Sequence, residues 1–179
     1  MKIIFKALLT ADAISLLLAV YLIKCQLWVC WLGNFSGFVY IAIPLLIAIF
    51  CDFLSIKLSP DSVESDICNI ELANDAFLPT YLGYFFVALS IPEGQYITLL
   101  LVFGIIFVFL FCSQNLYYNP FFLILGYKFY YMTTEKKVRL LIISKRNIRN
   151  IKEVHFIELR RINYFTFIDK EKVDESFDS

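Results

Sequence analysis

The feature that most constrains this chain is a set of long windows almost free of Asp, Glu, Lys and Arg. About 20 consecutive apolar residues in a helix cover the roughly 30 Å hydrocarbon core of a bilayer. Four windows approach that length. The first, 7–23, lies between Lys6 and Lys24 and is interrupted only by Asp12. The second, 38–56, precedes Lys57 and contains Pro44 and Asp52. The third, 76–91, is the shortest, and the fourth, 96–113, follows Pro92-Glu93-Gly94-Gln95. Hydrophobic residues make up 60% and charged residues 18% of the chain, against about 25% charged in soluble domains. That balance excludes a cytosolic enzyme, and the abundance of Phe and Tyr excludes disorder. The predicted fold class is membrane α-helical, with four transmembrane helices in residues 1–118 and a small C-terminal cytoplasmic antiparallel β domain in residues 119–179.

The fourth window stays free of charge as far as Tyr127, too far for one span, so a second element must follow. Asn119-Pro120 is a helix start, because Asn caps the first free N–H groups and Pro suits the first helical position. Gly126 is a stop, so the sequence predicts a short helix over 121–125. Asn119, Pro120 and Gly126 thus form a join through which the spans and the tail would be coupled.

Lys2, Lys6 and Lys57 flank one side of the four windows, together with the basic tail, whereas Lys24 alone falls on the other. The positive-inside bias predicts cytoplasmic termini and a multi-pass protein of the bacterial inner membrane. In the tail, period-two patterning predicts strands at 128–134, 138–145, 154–161 and 162–169. Lys136, Lys137, Arg139, Lys145, Arg146, Arg149, Lys152, Arg160 and Arg161 make a basic cluster suited to anionic lipid or an acidic protein partner. No base-reading motif accompanies them, so direct nucleic-acid binding is not expected. The segment 58–75 carries Asp61, Glu64, Asp66 and Glu71 without a base. It reads as a solvated cytoplasmic loop or as a docking site for a basic partner or a neighbouring subunit's tail.

Within the windows only Asp12 and Asp52 are ionisable acids, and such residues are functional candidates by default. Each also lies near a lysine, Lys6 or Lys57, so snorkelling or an ion pair would satisfy it. His155 is the single histidine, and the five cysteines form no C-x-x-C pair. Without a phosphate loop, nucleophile elbow or metal motif, the sequence predicts neither enzymatic activity nor a cofactor.

The join from Asn119-Pro120-Phe121-Phe122 through Gly126-Tyr127-Lys128, followed by Val138-Arg139-Leu140-Leu141-Ile142-Ile143-Ser144-Lys145-Arg146, resembles the KwaA family, the membrane subunit of the bacterial Kiwa anti-phage defence. The resemblance implies a homo-oligomer, on the family's pattern a tetramer, that responds to infection at the inner membrane and holds a cytosolic effector, KwaB, there. In the family the effector, not the membrane subunit, is associated with phage DNA. Two other classes compete: a small ion channel or transporter-like protein, and a structural anchor or assembly factor. Self-association is expected in addition because Gly83, Ala88 and Gly104 permit close helix contact.

Overall fold

The computed structural model describes residues 2–26, 35–61, 67–74, 78–113, 119–148, 156 and 158–171. The chain has four longer apolar helices: α1 (Lys2–Lys24), α2 (Ser36–Ser55), α3 (Leu78–Ser90) and α4 (Tyr96–Ser113). Lys24, Lys57 and the Pro92–Gln95 turn mark the ends of the first three apolar runs, whereas α4 stops at Ser113 inside a run still free of charge. α1 and α2 are long and apolar enough to cross a membrane. α3, with 13 residues, rises about 20 Å.

α1 is the centre of the bundle and packs on the other three. Its Leu9, Ile14, Leu17 and Tyr21 are buried, whereas α2 and α4 turn Phe38, Leu46, Phe53, Leu100 and Phe109 outward. This arrangement, with a covered central helix and an apolar rim, differs from a soluble bundle, where the outer stripe is polar. The helices are tied in register at both ends. The Tyr81 hydroxyl donates to the Ala13 carbonyl at 2.7 Å. Lys24 Nζ donates to the carbonyls of Leu89 and Ile91 at 2.6 and 2.7 Å, so a lysine from α1 satisfies the C-terminal acceptors of α3.

The sheet has six strands: β1 (Pro60–Asp61) and β2 (Ile67–Leu72) between α2 and α3, and, after a short α5 (Pro120–Ile124), β3 (Lys128–Thr134), β4 (Arg139–Ser144), β5 (Leu159–Arg161) and β6 (Thr166–Asp169). The order is β1-β5-β6-β4-β3-β2. Two expectations are corrected here. The sheet is mixed, not antiparallel, since β6 lies parallel to β4. The cause is topological: the β5–β6 hairpin inserts by its second strand, and β5 is left to pair with β1. The segment 58–75 is also no free loop, because β1 and β2 form the two sheet edges.

One face of the sheet, with Phe129, Leu141, Ile143 and Ile168, meets Phe5 and Leu9 of α1, Cys51 of α2, and Phe122 of α5 in one core. The other face gathers Tyr130, Met132, Leu140, Ile142, Leu159 and Phe167. A small sheet therefore need not be self-sufficient. It borrows the ends of two apolar helices, and each fully buried large side chain contributes roughly 1.5–3 kcal/mol.

Candidate functional site at the helix–sheet junction

Helices and sheet are joined by polar contacts as well as by the core. Asn119 is the N-cap of α5, and its Oδ1 accepts from the Phe121 N–H at 3.0 Å. Its Nδ2 donates to Asp12 Oδ2 at 2.5 Å, between two buried side chains. One asparagine therefore fixes the start of α5 and ties it to the middle of α1. Among the described residues, Asp12 Oδ1 has no hydrogen-bond partner. Gly126, at φ +82°, then reverses the chain after α5. It delivers Tyr127 back under α5, where its ring meets Phe122 edge-on at 5.3 Å.

Tyr127 is the hub of the second contact. Its hydroxyl donates to Asp52 Oδ1 at 2.5 Å and accepts from Lys170 Nζ at 2.8 Å. Lys170 also donates to Asp52 Oδ1 and, at 3.1 Å, to the Asp52 carbonyl. Lys145 stands 3.9 Å from Asp52 Oδ2 and 4.6 Å from the Tyr127 ring centroid. Burial raises the Tyr127 pKa well above the ordinary phenol value, and the adjacent Asp52 carboxylate adds to the rise. Burial lowers the Lys170 pKa, opposed by Asp52. The end of α2, the start of β3 and the residue after β6 thus converge on one carboxylate.

Both acids of the apolar windows find hydrogen-bond donors, Asp12 through one oxygen only, but not from the expected lysines. Asp12 uses Asn119, not Lys6, which stands instead over the Phe111 ring at 4.8 Å. Asp52 uses Tyr127, Lys170 and Lys145, not Lys57. The short helix expected over 121–125 is found at Pro120–Ile124, capped by Asn119 and followed by Gly126 at positive φ. Tyr127, Lys170 and Asp169 went unnoticed in the sequence; a tyrosine directly after the stop glycine is the one signal that could have marked them.

The basic cluster is dispersed. Arg139 lies 3.7 Å from Glu71, Arg146 lies 2.9 Å from both Asp169 and Glu171, and Arg161 pairs with Asp61. Arg160 donates to the Leu58 carbonyl at 3.2 Å. Lys136 and Lys137 are exposed in the β3–β4 turn. Asp61 and Glu71 of the acidic segment therefore face bases of the same chain. Glu64, Asp66, Arg149, Lys152 and His155 lie outside the described residues. Among the described residues there is no cluster of three or more metal-ligating side chains.

The family model described as anti-phage protein KwaA matches residues 5–168, from the first turn of α1 to β6. The chain belongs to the KwaA family. The match runs through both halves of the fold, so the junction of Asp12, Asn119, Asp52, Tyr127 and Lys170 has four of its five members inside the KwaA region, and Lys170 lies just beyond it. No curated protein and no solved structure matches the chain. KwaA membership assigns the protein to anti-phage defence and agrees with a membrane protein carrying apolar helices and a C-terminal sheet.

Proposed function

We propose that this chain is the membrane subunit of an anti-phage defence complex: a homo-oligomer in the bacterial inner membrane that responds to infection and recruits a cytosolic effector. In this reading α1 to α4 all cross the bilayer, both termini and the sheet are cytoplasmic, and the chain is not itself an enzyme. The apolar rim of α2 and α4 supports the bilayer as surrounding medium. Lysines at both ends of α1 support a transverse orientation.

The observation that carries the reading is the polar junction. Asp12 of α1 and Asp52 of α2 are each hydrogen-bonded to the segment that leads from the helices into the sheet. A shift of α1 against α2 would move the start of α5 relative to Tyr127. The sheet, which presents the cytoplasmic surface, would reorient with it, and effector recruitment would change. Such a mechanism needs no ligand pocket on the outer face.

Topology and recruitment are tested together. Cytoplasmic reporters fused after Asp75 and after Ser179 should both be active, and the protein encoded by the adjacent gene should co-sediment with membranes only when this chain is present. A periplasmic signal at Ser179 would overturn the four-span topology, and an effector indifferent to the chain would overturn recruitment.

A further inference from the structure

We infer that Lys145 binds the phosphate of an anionic phospholipid of the cytoplasmic leaflet, where the sheet meets the last turn of α2. The inference rests on the reading of α2 as a membrane span and deepens it by naming a lipid contact. Lys145 directly follows β4, and its side chain reaches back to the helices. Its Nζ lies 3.9 Å from Asp52 Oδ2 and 4.6 Å from the Tyr127 ring centroid. That places the ammonium level with Asp52, within the last turn of α2. On the same side of α2, Ile49 stands three residues before Asp52 and Ile56 four after it. Ile49 is 46% exposed, Ile56 53% and the adjacent Phe53 63%. A cation from the sheet therefore sits beside the apolar rim that faces the bilayer.

The chain leaves this cation only loosely matched. Asp52 Oδ1 is in direct contact with Lys170 and accepts from the Tyr127 hydroxyl at 2.5 Å, so its charge is already met. Lys145 is 42% exposed and meets no other carboxylate among the described residues. Asp169 and Glu171 are held by Arg146 at 2.9 Å, and Lys128 donates to the neutral amide of Asn147. At this end of the sheet Lys128, Lys145, Arg146 and Lys170 outnumber Asp52, Asp169 and Glu171 by one. A base near an anionic leaflet is attracted to its headgroups, and a long basic side chain at a helix end reaches the interface while its stem stays apolar. The occupant is lipid and not a cytosolic protein, because the ammonium lies level with exposed apolar side chains of a spanning helix, where headgroups and acyl chains surround it. A phosphate on Lys145 leaves Asp52 to Lys170 and Tyr127, the contacts that fix α2 to the sheet.

The test titrates short-chain phosphatidylglycerol into the full-length chain in an uncharged detergent and follows thermal unfolding. Phosphatidylglycerol should stabilise the protein at lower concentration than phosphatidylcholine of the same chain length or inorganic phosphate. Lys145→Gln should weaken that apparent affinity about fivefold, equivalent to about 1 kcal/mol, whereas Lys136→Gln in the β3–β4 turn should leave it unchanged. Equal stabilisation by phosphatidylcholine or by inorganic phosphate, or equal losses in the two variants, would overturn the inference. In cell membranes, a photo-crosslinking amino acid in place of Lys145 should give lipid adducts, and adducts with protein alone would overturn it. Alkaline extraction of those membranes separates the two readings. A chain that stays in the membrane but shows no preference for phosphatidylglycerol removes the lipid site alone, and a chain released by alkali removes the span and the site together.

Discussion

Replacing Asp52 or Lys170 should expose how strongly the sheet is tied to α2. The Lys170 side chain is 11% exposed and Asp52 24%, and they are in direct contact. Lys145 is 42% exposed and stands off at 3.9 Å. An exposed, distant pair is worth less than about 1 kcal/mol. Breaking a fully buried pair costs about 3–5 kcal/mol, because the survivor stays charged and desolvated. The Asp52–Lys170 pair falls between these limits. Lys170→Met leaves Asp52 with the Tyr127 hydroxyl and with Lys145 as a substitute cation, which limits the loss to about 2 kcal/mol. Asp52→Asn leaves Lys170 with the Asp52 carbonyl and the tyrosine oxygen, and should cost about 2–3 kcal/mol. Lys145→Met should cost less than about 1 kcal/mol. Thermal unfolding of the purified protein in one detergent would measure all three. The double variant Asp52→Asn, Lys170→Met should be about 1–2 kcal/mol less destabilised than the sum of the singles. Additivity within about 0.5 kcal/mol, or a Lys145→Met cost equal to that of Lys170→Met, would refute the assignment of Lys170 as the principal partner.

Further outcomes follow from the same contacts. Gly126→Val has open space for its Cβ but a φ of +82°, so it should cost at least about 1–2 kcal/mol of backbone strain, keep membrane insertion and oligomer size, and weaken effector co-sedimentation and phage protection. Gly94→Val meets the same conditions at φ +79° and should leave co-sedimentation intact, and equal effects of the two would remove the special role of Gly126. Asn119→Asp retains the capping oxygen but sets a carboxylate where the Asp12 carboxylate receives a donor at 2.5 Å, so it should be less stable in a detergent melt than Asn119→Ser. The folded-state pKa of Tyr127 is raised, so its stabilising contribution is complete below the unfolded value near pH 10 and is lost as pH rises towards the folded value. Lys170, with its pKa lowered, favours folding increasingly as pH rises towards 10.5 and opposes that loss below it. Comparison of wild type with Tyr127→Phe in melts from pH 9 to 11.5 should show a smaller loss above about pH 10 for the variant, and identical profiles would contradict the burial of this phenol.

The helices were legible because charge avoidance in a bilayer is a one-dimensional property, and lysines or turn residues punctuate it. α5 was legible for a similar reason, since Asn-Pro at its start and Gly at its end act locally. The partners of the two acids were not legible. Six residues separate Lys6 from Asp12, a rotation of about 240° at 3.6 residues per turn, so the lysine nearest in sequence points away. Asp52 and Lys170 are 118 residues apart, and no local pattern encodes that meeting. β2 was missed because its exposure follows no alternation, and β1 because two residues carry no period. The basic cluster misled for the same reason as the acidic segment. Each is a run of like charge in sequence, but the sheet places Arg139 opposite Glu71 and Arg161 beside Asp61, so much of both charges cancels internally.

In the proposed mechanism the Asp52–Tyr127–Lys170 junction carries the response from the helices to the sheet. The most direct measurement is plaque formation on cells that express the complete defence system with Asp52→Asn, at a membrane level of the chain matched to wild type. Protection should fall at least about tenfold, corresponding to a coupling loss of about 1.4 kcal/mol or more, while the protein remains inserted. Full protection by this variant at matched level would contradict it.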